Sequence, residues 1–350
     1  MRTHRSLWQP ALAGALGAAL AACSTGGSST PVTSPAQIGG AHVPAALARI
    51  TPNRTARARG VPVTSHGWLS PRAQTGKNLV YVASNNSSNG AVYVYPSSGQ
   101  DQAPIGTIVS GVSQPAGIAV DKSSNLYVAN LGSSTVTVYP PGQLSPSTTY
   151  TQGVSTPQGV SVGTDGTVYI ANETGSPSGA GSVTEYTGGS TSPSATITQP
   201  GMYAFAVGLD ASNNLYVSWF DLSSYGIAIY KYAPGSTTGT NLNLDLPEYV
   251  FPAFGIAFDH SGNLVIAVES LNHNPPKFIE FFPPGATEPS RKIDEAGLVD
   301  VVEGIAFPKT TRLFYVASAN DHDWLKLTIH RVIPRDVVQL TSPAGLALSP

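Results

Sequence analysis

The feature that most constrains this chain is a phrase that it repeats. Gly117-Ile118-Ala119-Val120-Asp121 is followed by Asn125-Leu126-Tyr127-Val128-Ala129-Asn130. The same order recurs as Gly159 to Gly163 then Thr167 to Asn172, Ala206 to Asp210 then Asn214 to Ser218, Gly255 to Asp259 then Asn263 to Ala267, and Gly304 to Pro308 then Leu313 to Ala317. From Asp121 the matching positions Gly163, Asp210, Asp259 and Pro308 step by 42, 47, 49 and 49 residues. Apolar residues alternate within each half, as in strands with a buried face. Between the halves stands Asp-Lys-Ser-Ser-Asn, Asp-Ala-Ser-Asn-Asn or Asp-His-Ser-Gly-Asn. An acceptor followed by a residue that tolerates the left-handed region makes a tight turn. A third strand is expected at 135–139, 182–186, 227–232 and 278–282, and a weaker fourth at 194–197 and 336–340; outer strands are commonly short and polar. A period of 40–50 residues that carries several short strands is a propeller blade.

The two ends complete the count. Leu79 to Ala83 and Ala91 to Tyr95 read as second and third strands with no first, whereas Gly345 to Leu348 reads as a first strand with nothing after it. The C-terminal strand is expected to fill that gap and close the ring, which removes an exposed edge. The expected fold class is therefore all-β: a six-bladed β-propeller of four-stranded blades over residues 76–350, about 46 residues per blade. A blade cannot bury both of its faces alone, so the ring is read as one domain.

The phrase G-I-A-V-D-x-x-x-N-L-Y-V-A-N resembles the NHL-type six-bladed propellers and the related senescence-marker/gluconolactonase family; the streptogramin lyases have a similar repeat on seven blades. The resemblance covers about three quarters of the chain, and the WD signature is absent. It implies architecture more than activity, because such folds host binders, scaffolds and enzymes alike. It also implies that ligands sit over the central channel, on a face built from residues before each inner strand and after each second strand. The first set is Gln114, Gln158, Tyr203, Phe254, Glu303 and Pro343; the second is Asn85, Asn130, Asn172, Trp219, Glu269 and Asn320. In the gluconolactonase family a Glu before an inner strand, with Asn and Asp from other blades, holds a divalent metal. Glu303-Gly304 has that shape, and Asn130 or Asn172 is the matching amide. The Glu stands in the last complete repeat instead of the first, and no matching Asp is found. A calcium ion takes six to eight oxygens, usually with more than one carboxylate, so no cofactor is expected unless the enzyme reading holds. Asn side chains at strand ends also make turns, Trp219-Phe220 and Trp324 are exposed-loop candidates that could stack on a sugar or peptide although packing between blades is the commoner role, and Asp321-His322-Asp323 and His273 read as solvated loops.

The first residues carry an address. Arg2, His4 and Arg5 precede a ten-residue apolar run, Ala11 to Leu20, too short for a membrane span of roughly 20 residues. The run ends in Leu20-Ala21-Ala22-Cys23, which resembles the bacterial lipoprotein lipobox. That resemblance implies cleavage before Cys23, a thioether to diacylglycerol on its sulfur, and a membrane anchor of two or three acyl chains. The expected organisation is a signal peptide at 1–22, a lipidated cysteine and Gly/Ser/Thr/Pro-rich tether at 23–75, and the propeller. Ser24, and not Asp, follows the cysteine, which favours the outer membrane in a cell with two.

Composition then bears on function. Only 11% of the 350 residues are charged and the net charge is −2, against about a quarter charged in an average domain. No basic field exists to draw in nucleic acid. The single cysteine excludes an internal disulfide and cysteine metal clusters. With so few ionisable groups, few can converge at a channel. The leading expectation is a monomeric, membrane-anchored propeller that binds a small molecule, glycan or protein without catalysis. The alternatives are a metal-dependent lactonase-like hydrolase or lyase that uses Glu303 and Glu269, and a scaffold for envelope assembly.

Overall fold

The structure is a computed structural model that describes residues 66–85, 90–98, 103–174, 180–221, 223–224, 226–246, 255–268, 278–294, 302–308, 313–318, 323–328, 331–339 and 343–349. The chain divides into two units, Met1–Gly60 and Val61–Pro350, and every described residue lies in the second. Cys23, the signal segment and most of the tether lie outside the described residues.

The described strands form antiparallel sheets in chain order, and the fold is a β-propeller of four-stranded antiparallel blades. Sheet B spans 115–150, C 157–197, D 202–241, E 256–294 and F 302–339, each with four strands in simple up-and-down order. The four-stranded blade is thus found five times, not six. The remaining sheet, A, has five strands in the order Trp68–Leu69, Gly106–Ile108, Ala91–Pro96, Leu79–Ser84 and Pro343–Leu348. Its extra outer strand comes from the segment read as tether: Trp68 and Leu69 pair with Thr107 and Gly106. Two residues gave no alternation to read.

Pro343–Leu348 pairs with Leu79–Ser84, Val82 opposite Leu346 and Tyr81 opposite Ala347. Leu79 N donates to Ser349 Oγ at 2.8 Å, and Ser349 N donates to Leu79 O at 3.0 Å. Each hydrophobic cluster lies between two neighbouring sheets. Tyr81, Val92, Ile118 and Val128 fill the layer between A and B, and Tyr127, Val138, Val168 and Ile170 the layer between B and C. Val80, Tyr93, Tyr315 and Ala317 join F back to A. The inner strands follow one another around the ring in the order A, B, C, D, E, F and back to A.

The Asp-x-x-x-Asn turns repeat atom for atom. Asp121 Oδ1 accepts from Ser123 N and Asn125 N, both at 2.8 Å, while Asn125 Nδ2 donates to Oδ2 at 2.8 Å. Asp210 and Asp259 hold Asn214 and Asn263 in the same way. Burial works against the Asp210 charge, yet the bonds from Asn214 and Ser212, with Lys231 Nζ at 3.8 Å, hold its carboxyl below the usual range.

Candidate functional site

An irregularity at the start of the inner strands positions the site. In sheet C, Pro157 pairs with Asn172 and Gly159 with Ala171, so Gln158 is a surplus residue. The same bulge makes Phe205 surplus in D, Glu303 in F and Ala344 in A, and sheet B slips likewise between Pro115 and Ile118. A bulge breaks the ladder and re-aims a side chain. The ring therefore presents one re-aimed residue per bulged sheet at the same end of the inner strand.

Just inside stand the repeated glycines, and their role is close approach. A Cβ on Gly117 would lie 2.6 Å from Gln158 O of the next sheet, and one on Gly304 would lie 2.8 Å from Leu346 N. One on Gly345 would lie 2.3 Å from Ala116 O. Real Cβ contacts are longer, so side chains there would push the inner strands apart. The inner strands border a small central channel that opens to solvent. Its wall consists of these glycines, Ala206, the aliphatic residues Ile118, Val160, Val207, Ile256, Ile305 and Leu346, and Glu303. Glu303 is the one ionisable side chain among the described lining residues, and it is half-buried.

Gln158 is buried and donates through Nε2 to Glu173 Oε2 at 2.7 Å. Burial pushes the Glu173 carboxyl up, against the lowering effect of the Gln158 bond. Thr156 Oγ1 and Thr174 Oγ1 lie 2.7 Å apart beside this pair. Gln114 and Thr156, each followed by a proline, hold φ of 46° and 42°, a region that non-glycine residues rarely occupy.

Asn130 and Asn172 are spent on structure, whereas Asn85 Oδ1 is buried with no hydrogen-bond partner among the described residues. Asn130 is fully buried; its Oδ1 accepts from Ser113 N at 3.0 Å and its Nδ2 donates to Thr137 Oγ1 at 2.9 Å. Asn172 repeats this with Ser155 N and Thr184 Oγ1. Trp219 and Phe220 take the packing role and not the exposed-loop one: they stand inside a strand and are buried, and Trp219 Nε1 donates to Tyr232 Oη at 3.1 Å. Strand pairing also corrects which positions are equivalent. Ser84, Val268 and Ser318 match Asn130, so Asn85 and Glu269 stand one residue later and Asn320 two. Gln114 and Tyr203 precede the bulge position by two residues and Pro343 by one, whereas Gln158 and Glu303 occupy it. Gln114, Tyr203 and Asn85 are half-buried. Phe254, Glu269, His273, Asn320, Asp321 and His322 lie outside the described residues, and of the Asp323, Trp324 and Pro343 side chains nothing is described.

Among the described residues the channel offers one carboxylate in a wall of glycine and aliphatic groups, and no three His, Cys, Asp or Glu side chains meet. That set does not fit a calcium ion, which needs six to eight oxygens.

The class that the fold defines is the β-propeller, and solved structures agree. The chain is similar to a chain of a nidogen/laminin complex with a TM-score of 0.61 and 13% identity, over 78% of this chain and 98% of that one. It is similar to the hydrazine synthase of Kuenenia stuttgartiensis with a TM-score of 0.57 and 14% identity, over 78% and 87%. At such identities the likeness is one of fold. No protein-family model and no curated protein matches the chain.

Proposed function

We propose that this chain is a lipid-anchored, extracytoplasmic propeller that binds a ligand or partner protein on the face around its channel and does not turn it over. The observation that carries the reading is the ring of bulge residues. Ala116, Gln158, Phe205, Glu303 and Ala344 are brought to one rim, and only Glu303 among them ionises. Ala116, Gln158, Phe205 and Ala344 are buried and Glu303 is half-buried, so on this rim a ligand meets Glu303, and an acid–base pair has no second ionisable member among these five. One of the similar propellers comes from a protein–protein complex, which supports a protein partner. Crosslinking in the native envelope should recover one partner reproducibly from the wild type and lose it from Glu303→Arg. Recovery that ignores Glu303→Arg would move binding to the blade edges, as the scaffold reading has it.

The organisation proposed is a signal peptide at 1–22, acylated Cys23, a flexible tether and the propeller, held at the outer membrane in a cell with two. The Ala21-Ala22-Cys23 sequence supports the anchor. Cys23→Ser should move the protein from the membrane fraction to the soluble one; a variant that still sediments with membranes overturns the anchor. The enzyme reading retains one observation, the place of Glu303 in the channel wall. Stoichiometric calcium lost in Glu303→Ala would establish it, and a melting temperature indifferent to calcium would remove it.

A further inference from the structure

We infer that the seam of sheets C and D on the channel face holds a polyhydroxy ring, one unit of a glycan, between Glu173 and Tyr203. The inference rests on the binding reading above and names its ligand. Glu173 stands outside the ring of bulge residues but touches it, since its Oε2 accepts from Gln158 Nε2 at 2.7 Å. The neighbouring sheets show that the fold does not need this pair. Glu173 N donates to Thr156 O at 3.1 Å, as Leu131 N does to Gln114 O at 3.0 Å in sheet B. In sheet D the same place is taken by Phe220, opposite Tyr203. Leucine and phenylalanine thus serve where sheet C has a carboxylate, and Ala116 and Phe205 serve where it has Gln158. Burying a carboxylate works against stability unless it is paired. No cation faces Glu173 among the described residues, and burial raises its carboxyl despite the Gln158 bond.

The polar atoms left over specify what enters. Glu173 Oε1 and Gln158 Oε1 accept no hydrogen bond among the described residues, and neither is buried unpartnered. Beside them Thr156 Oγ1, Thr174 Oγ1 and Ser155 Oγ stand in a chain of two bonds, 2.7 and 3.2 Å long. Three hydroxyl protons serve two bonds, so one is left to donate outward. The site therefore presents two acceptors and a donor. An ammonium group has donors only, a carboxylate acceptors only, and a peptide unit one of each. Neighbouring hydroxyls on a sugar ring supply two donors and an acceptor at once. Tyr203 completes the seat. A Cβ on Gly181 would lie 2.8 Å from both Asn172 O and Tyr203 Cα, so this tyrosine begins beside the residue that precedes Glu173. It is half-buried. A tyrosine offers an apolar ring face with one polar end, which suits the C–H face of a pyranose.

The test is calorimetric titration of the purified full chain with the methyl β-glycosides of glucose, galactose, mannose and N-acetylglucosamine. Cyclohexanol and cyclohexylammonium are the ring-shaped controls. At least one glycoside should saturate one-to-one below roughly 10 mM and bind at least about tenfold tighter than either control. Glu173→Leu, which copies sheet B, should lose about tenfold or more in affinity at an unchanged or higher melting temperature. Gln158→Ala, which copies sheet B as well, should also lose about tenfold, and it decides the matter if Glu173→Leu folds poorly. No saturation by any of the glycosides, a control that binds as tightly, or wild-type affinity in both variants overturns the inference. A β-1,4-linked disaccharide of the best-bound unit that binds about tenfold tighter assigns the site to a glycan chain; equal affinity assigns it to a free sugar. If no glycoside binds while crosslinking recovers a partner from wild type, the binding reading stands without this inference. If a glycoside binds through Glu173 and no partner is recovered, the glycan site stands and the protein partner falls.

Discussion

Gly345 and Gly255 occupy the same place in their sheets, one residue before an aliphatic that lines the channel, yet they face different neighbours. A Cβ on Gly345 would strike the backbone of sheet B, 2.3 Å from Ala116 O. One on Gly255 would first meet the side chain of Ile305, at 3.1 Å from Cγ1. The seams from F through A and B to C and D are closed backbone against backbone, with clashes of 2.3 to 2.9 Å waiting for any Cβ at Gly304, Gly345, Gly117 or Gly159. At the matching place in sheet D the residue is Ala206. The ring is therefore tight on one side and cushioned by side chains on the other. A backbone cannot move aside without breaking its ladder, whereas Ile305 can shift.

Gly345→Val should break the tight seam outright, at about 4 kcal/mol or more of unfolding free energy by urea titration, with Gly255→Val losing about half as much. A smaller step, Gly345→Ala, should still cost about 2–3 kcal/mol, against at most about 1 kcal/mol for Gly255→Ala, since alanine there also restricts the unfolded chain. Equal losses at the two sites would erase the contrast between the seams.

The interiors of the two sides differ as well. On the tight side, Asn172→Ala leaves Ser155 N and Thr184 without their buried partner and should cost about 2–3 kcal/mol. On the cushioned side Val268 takes the matching place, and the strand beside it carries Glu280, fully buried, with Lys292 Nζ 2.8 Å from Oε1. Burial raises the Glu280 carboxyl above its ordinary value, and Lys292 only partly offsets it. The folded form then holds a proton that the unfolded chain has released. Stability falls as pH rises from the ordinary carboxylate range through the raised value. Glu280→Gln should flatten that decline in urea midpoints as pH rises above the ordinary carboxylate range, and an unchanged slope would show that the carboxylate is not its source. The smallest effect expected is at the turns: Asp121→Ala and Asp259→Ala should each cost about 1 kcal/mol, alike on both sides, because the three bonds are the same.

The repeat, the strand order within each blade and the closing role of residues 343–348 were all legible, because alternation and turn chemistry are local signals. Trp68–Leu69 was not, since two residues have no period. The rim was only partly legible. A bulge adds one residue with no mark in a period-two pattern, so counting outward from the repeated phrase slipped at Asn85, Gln114, Tyr203, Glu269, Asn320 and Pro343. Gln158 and Glu303 were found because they adjoin the glycine itself. The fate of Asn130 and Asn172 turned on partners seventeen residues upstream, Ser113 and Ser155, which only the folded chain brings near.

The pairing of Leu79 with Ser349, 270 residues apart in sequence, has a kinetic consequence. The sheet that contains the first strands of the ring lacks its innermost member until residues 343–348 are present. If the chain is threaded across a membrane from its N-terminus, sheets B to E can each assemble behind it, but sheet A must wait with an open edge. Contacts of such long range are slow to form, and an open edge is the place where strands pair with the wrong partner. Folding of this ring should therefore end, and not begin, at its first sheet, and a protease present during refolding should find residues 79–84 and 91–96 among the last to become protected.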